Sequence, residues 1–104
     1  MRQLEYIAPS GRQAGILKVR GVLDFGSVPQ MSRDIPRLIA GQLRLTVDLS
    51  EVTQTNSAGL ALLLELNRLA LHDNCRMQFR HIPQSLIDII HISELDDLLS
   101  STVG

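Results

Sequence analysis

The sequence predicts an α/β fold: a mixed β-sheet of four to five strands, mostly parallel, packed with three to four helices. Three observations lead there. Stretches that alternate apolar and polar residues take turns along the chain with stretches of helical period. The first two strand-like stretches are separated by a loop built on Pro9, Ser10 and Gly11, which suits a hairpin, whereas later ones are separated by helices, which suits parallel crossovers. The 104 residues, 44% of them hydrophobic, fit one domain over residues 1–104 with a core of Leu, Ile and Val, because a chain this long buries roughly two thirds of its unfolded surface.

Each element has its own warrant. Gln3 to Ile7 alternates like a half-buried strand, and Ile16 to Arg20 is its hairpin partner, broken by Gly21 before Val22, Leu23 and Asp24. A first helix is expected from Val28 to Ala40, with Pro29 acceptable in its first turn. Pro36 lacks a backbone donor and crowds the preceding turn, which predicts a kink or two short helical pieces. Leu43 to Leu49 alternates without a fault and is the clearest strand. Ser57 falls on the loop leaving it. The main helix should run from Ala58 to His72, ended by Asp73 and Asn74, before a strand at Arg76 to His81. Pro83 then opens a last helix, Gln84 to Ile90, and a short amphipathic tail closes the chain.

Composition narrows the function classes. Ten Lys and Arg against eleven Asp and Glu leave a net charge of -1, so no overall field draws nucleic acid or an anionic membrane. The single cysteine, Cys75, excludes an intrachain disulfide, and no signal-peptide pattern opens the chain. The longest wholly apolar run, Leu60 to Leu64, falls far short of the ~20 residues of a membrane helix. The expectation is a cytoplasmic protein that reaches a membrane only indirectly, through a partner complex.

Catalysis finds little support. Neither a Gly-x-Gly-x-x-Gly nor a Gly-x-x-x-x-Gly-Lys motif is present. His72, Asp73, Cys75 and His81 cluster in sequence, but their spacing matches no standard zinc site, and a lone Cys beside a strand is usually a small core hydrophobe. No catalytic residue, metal or cofactor is therefore assigned. In Arg76 to His81, alternation sets Arg76, Gln78 and Arg80 on a solvated face and Met77, Phe79 and His81 on a packed one. Asp24 and Asp48 read as a turn cap and a strand-end acceptor.

The candidate site is Thr55, Asn56, Ser57, Ala58, Gly59, Leu60, where a polar turn runs into a leucine-rich helix. Helix N-termini leave N–H groups unpaired and favour negative charge, so Ser57 can cap the helix, bind an anionic group or carry a phosphate. Projected at 100° per residue, Gly59, Leu62, Leu63, Leu66, Leu69 and Ala70 face the sheet. Ala61, Glu65, Arg68 and His72 are outward, while Leu60, Leu64, Asn67 and Leu71 form a second, mostly apolar stripe. Either the last helix covers this stripe or it is a partner-binding groove starting at Ser57, where Gly59 permits close approach.

These residues resemble the STAS domains, a family that includes anti-sigma factor antagonists and transporter regulators. Arg20, Gly21, Val22, Leu23, Asp24 is similar to the family's Gly-x-Leu-Asp strand ending, and Val47, Asp48, Leu49, Ser50 to its central strand. Asn56, Ser57, Ala58, Gly59, Leu60 is similar to its signature of acid, Ser or Thr, small residue, Gly, Leu, and His91, Ile92, Ser93, Glu94, Leu95 to its closing segment. The resemblance implies a STAS-like fold. The likeness to the small STAS subunits of Mla phospholipid-transport ABC complexes is the greater. It implies a non-catalytic subunit that binds the cytoplasmic ATPase of the complex through Ser57 and the helix behind it. The anti-sigma branch implies the alternative, an antagonist controlled by phosphorylation of Ser57 by a serine kinase anti-sigma factor. Asn56 departs from the usual aspartate.

Overall fold

The computed structural model describes the backbone of residues 2–103 and the side chains of residues 2–99. The chain runs β1 (Leu4–Ile7), β2 (Gly15–Leu23), α1 (Val28–Leu38), β3 (Arg44–Thr55), α2 (Ser57–His72), β4 (Arg76–Arg80), α3 (Gln84–Ile92), a 3₁₀ turn (Asp96–Ser101) and β5 (Thr102–Val103). The strands form one five-stranded sheet in sequential order, antiparallel between β1 and β2 and parallel thereafter. When parallel strands follow one another in this order, right-handed crossovers bring their helices to the same face of the sheet. α1, α2 and α3 accordingly bury their apolar sides in one core with Leu17, Val19, Leu45, Val47, Leu49 and Phe79.

Register makes the sheet two-faced. Tyr6, Leu17, Val47 and Phe79 are paired in a row across β1 to β4 on the helix side. The neighbouring row, Glu5, Lys18, Asp48 and Arg80, projects from the other side and alternates in charge. Two residues beyond Lys18 on β2, Arg20 clamps three strands together. Its Nη2 donates to Glu5 Oε1 on β1 at 2.6 Å, and its Nε donates to Glu51 Oε2 on β3 at 2.9 Å. The hydrogen bond from Arg20, then its charge, holds the Glu5 carboxyl below its ordinary value.

Several boundaries differ from the sequence reading. Gly21 does not break β2: with φ at +81° it sits at a register shift inside the strand. The Gln3 carboxamide spans this bulge, donating to the carbonyls of Arg20 at 3.2 Å and Val22 at 3.0 Å. Pro36 does not split α1, which is one helix from Val28 to Leu38. The proline lies exposed in the last turn, where water can satisfy a carbonyl deprived of its partner. β3 runs to Thr55 rather than Leu49, because pairing with β2 continues as far as Leu23 opposite Thr55. In β4, Met77 and Phe79 pack inward as alternation requires, but His81 lies beyond the strand, exposed, with φ at 59°.

Two carboxylates brace turns. Asp24 Oδ1 accepts from the backbone N–H groups of Gly26 and Ser27, both at 2.9 Å, which depresses its pKa, the Ser27 bond contributing most. Burial pushes Asp48 upward, but the backbone N–H of Ser50, donating to Oδ1 at 2.9 Å, brings the net shift down. A carboxylate with a depressed folded-state pKa stabilises the fold fully above its unfolded value, and that contribution disappears as pH falls through the folded value. Urea unfolding midpoints should therefore hold near neutrality and drop as pH falls below the ordinary values of 4.5 for Glu5 and 3.8 for Asp24. The Asp24→Asn variant should show a shallower drop.

The core carries the stability of the main helix. Leu66 is fully buried, whereas Leu71 is 74% exposed. Leu66→Ala should cost about 2–5 kcal/mol in urea unfolding, and Leu71→Ala less than about 0.5 kcal/mol.

Candidate partner-binding site

The site begins where β3 turns into α2, and a single residue makes the junction. The Asn56 N–H donates to the Leu23 carbonyl at 3.2 Å, which ties the junction to the end of β2. Its side chain then turns back, and Oδ1 accepts from the Ala58 N–H at 2.8 Å. Asn56, with extended backbone angles, is thus the N-cap, and Ser57 is the first helical residue. This corrects the reading of Ser57 as a loop residue and, of the three roles open to its hydroxyl, assigns the capping one to Asn56. Ser57 is exposed and has no side-chain hydrogen bond among the described residues. No acidic residue occupies the first turn of α2, so the positive end of the helix dipole at Ser57 is left uncompensated by a side chain.

The remaining candidate residues divide by burial. Ala58, Gly59 and Leu60 lie in the core, so their side chains are beyond a partner's reach, contrary to the sequence expectation. Gly59 serves internal packing: a Cβ there would meet Leu86 Cδ1 at 3.4 Å and Leu23 Cδ1 at 3.5 Å and would collide with the Thr55 hydroxyl. Leu60 leaves the outward stripe because the core closes over it. Leu64 and Leu71 remain outside, at 39% and 74% exposure, and Thr55 and Asn67 are half-buried.

What α2 presents outward is a row of Ser57, Ala61, Leu64, Arg68 and Leu71, all exposed and spaced alternately four and three residues apart. Glu65 holds Arg68 by two hydrogen bonds, at 2.6 and 2.9 Å, which fixes the guanidinium along the helix surface. Ser57 and Leu64 stand about 10 Å apart along the axis, within reach of one partner element.

The same edge carries a residue that sequence reasoning passed over. Phe25 is 69% exposed in the turn after β2, and Val22 is 37% exposed just before it. Leu23 and Thr55 are register partners, so the turn bearing Phe25 and the start of α2 at Ser57 leave the sheet side by side. The signal was available: one of only three aromatic residues stands between Asp24 and Gly26, in a turn where no core position exists.

The residues imagined as metal ligands do not assemble. No group of His, Cys, Asp and Glu among the described residues could hold a metal ion. Cys75 is half-buried against the core, and desolvation raises its thiol pKa. No described helix is long and apolar enough to cross a membrane.

Comparison with known proteins adds family and fold. A family model described as "Mlab, STAS domain" matches residues 8–100. No curated protein sequence matches the chain. Among solved structures, the anti-sigma factor antagonist SpoIIAA in its unphosphorylated form superposes with a TM-score of 0.70 at 16% identity, over 96% of this chain and 85% of that one. An anti-sigma factor antagonist from Mycobacterium paratuberculosis gives 0.70 at 20% identity, over 90% and 80%. A sulfate transporter family protein from Wolinella succinogenes gives 0.66 at 12% identity, over 84% and 73%. Identities this low establish a shared fold, and the family match spans most of the sequence. The chain belongs to the STAS-domain family.

Proposed function

We propose that this chain is a non-catalytic assembly subunit that binds the cytoplasmic ATPase of a Mla-type phospholipid-transport ABC complex. Ser57, Thr55 and Asn56 form the edge of the contact, and Leu64, Asn67 and Leu71 extend it along α2. The observation that carries this reading is a serine hydroxyl displayed at a helix N-terminus with its capping duty taken over by Asn56. The exposed leucines behind it support a lasting contact, since permanent interfaces are the more apolar kind. The MlaB description of the matching family supports the transporter branch. On this reading the protein is cytoplasmic and peripheral to the membrane through its partner.

The second reading is an anti-sigma factor antagonist switched by a serine kinase at Ser57. The free hydroxyl favours it, because a phosphoryl group could be accepted there without dismantling a cap. The two readings part on chemistry: only the second requires ATP-dependent phosphate incorporation at Ser57.

The contact and the fold can be separated by mutation. Ser57→Glu and Leu64→Asp should each weaken ATPase binding about tenfold or more in calorimetric titration, a loss of ~1.4 kcal/mol or greater, while circular dichroism stays native. Unchanged affinity in both variants would remove the surface from consideration. Conversely, Asn56→Ala should cost about 1 kcal/mol of stability through loss of the cap, whereas Ser57→Ala should shift unfolding by less than about 0.5 kcal/mol. Phosphate transfer to Ser57 from ATP by a co-purifying kinase would replace the first reading with the second.

A further inference from the structure

At the other end of β3, on the sheet face away from the helices, arginines gather without acidic partners. Arg44 and Arg76 open β3 and β4 and are direct register partners. Because Leu45 and Val47 point into the core, Arg44 and Arg76 both project from the opposite face, and like charges so placed repel. Arg44 Nη2 donates to the backbone carbonyl of Arg12 at 3.0 Å, which brings the hairpin loop up beside the pair. Among the described residues, no carboxylate comes within ion-pairing distance of Arg12, Arg44 or Arg76. Lys18 and Arg20, on the same face, are by contrast neutralised by Glu5 and Glu51.

A hollow of about 230 Å³ lies between the two arginines, lined by Ala14, Arg44, Leu45, Thr46, Arg76 and Gln78. Its wall offers two guanidinium groups, a hydroxyl and a carboxamide, and no acid. We propose that this hollow is a binding site for a phosphoryl group. Guanidinium forks match phosphate oxygens two at a time, and an anion held between Arg44 and Arg76 would replace their repulsion with attraction. The net charge of -1 supplies no long-range field, which favours a single phosphoryl group held at short range over an extended polyanion. A soluble metabolite and a lipid headgroup are the two sources of such a phosphoryl group. β2 spans from Gly15, opposite Leu45, to Leu23, opposite Thr55, so at about 3.3 Å per residue the hollow lies roughly 26 Å from the junction of β3 with α2, and this inference stands independently of the partner surface.

The test is an amide NMR titration of the whole chain with inorganic phosphate and with glycerol phosphate, against chloride at matched ionic strength. Flotation with phosphatidylglycerol and phosphatidylcholine vesicles runs beside it. Saturable shifts are expected at Thr46, Arg76 and Gln78, with Ser57 unmoved. Arg44→Ala with Arg76→Ala should weaken the response tenfold or more, and Arg44→Lys with Arg76→Lys should weaken it several-fold, since lysine keeps the charge but loses the fork. Arg76→Glu should abolish it while raising the melting temperature, because an opposed ion pair replaces a repulsive one. Response to the soluble phosphates without flotation assigns a soluble ligand. Arginine-dependent flotation on phosphatidylglycerol assigns a headgroup. No saturable response in either arm, or a response equal in chloride or in the double alanine variant, overturns the proposal.

Discussion

Parallel pairing between β2 and β3 is the constraint on which the rest of this structure depends. A parallel partner cannot be reached by a tight turn, so α1 must cross over the sheet, and the fixed hand of the crossover decides which face it covers. The same rule applied again places α2 on that face. The core then has only one place to form, between the sheet and the helices, and the row Leu17, Val47, Phe79 marks its floor. The opposite face is left to charge, and the Arg20 clamp to Glu5 and Glu51 turns that exposure into a brace across β1, β2 and β3.

The candidate site follows from how far this pairing extends. β4 accompanies β3 only from Arg44 to Asp48, but β2 stays with it to Thr55. β3 therefore outruns the part of the sheet held by β4 and delivers the start of α2 to its margin. With Asn56 both hydrogen-bonded to Leu23 and capping Ala58, one residue makes the whole turn from strand to helix. The outcome is a serine placed by two rigid elements rather than by a loop, beside an exposed phenylalanine placed by a third.

Element types were legible wherever burial was one-sided. Arg44 to Leu49 reads as a strand because Leu45, Val47 and Leu49 are buried in the core while Arg44 and Asp48 reach water; Leu43, the expected first residue, lies before the strand and is exposed. Ser50 to Thr55 does not, because that stretch is mostly exposed and the alternation of apolar and polar residues lapses. Gly21 and Pro36 were read by their local cost, yet a bulge spanned by Gln3 and an exposed last turn absorbed each of them. The choice of cap was beyond sequence reasoning for another reason. Asn and Ser are nearly equal as N-caps, so only the bond to Leu23 sets which one turns the corner. On α2, helical projection does not separate Leu60 from Leu64, which differ by one helical turn and only about 40° in azimuth, yet the core closes over the first and stops short of the second.

The exchange of roles between Asn56 and Ser57 bears on how such a surface can be regulated. A serine that caps a helix cannot change its chemistry without weakening the helix, so any signal it carried would be mixed with a loss of stability. Here the cap is a neutral amide one residue earlier, the first turn holds no acidic residue, and the helix dipole favours negative charge at Ser57. Added charge at that point is therefore tolerated by the domain and felt mainly by whatever docks on it, where like charge or lost solvation opposes contact. Separating the residue that caps the helix from the hydroxyl displayed beside it lets the surface at Ser57 vary while the fold stays constant, and in this chain that separation depends on a single hydrogen bond from Ala58 to Asn56.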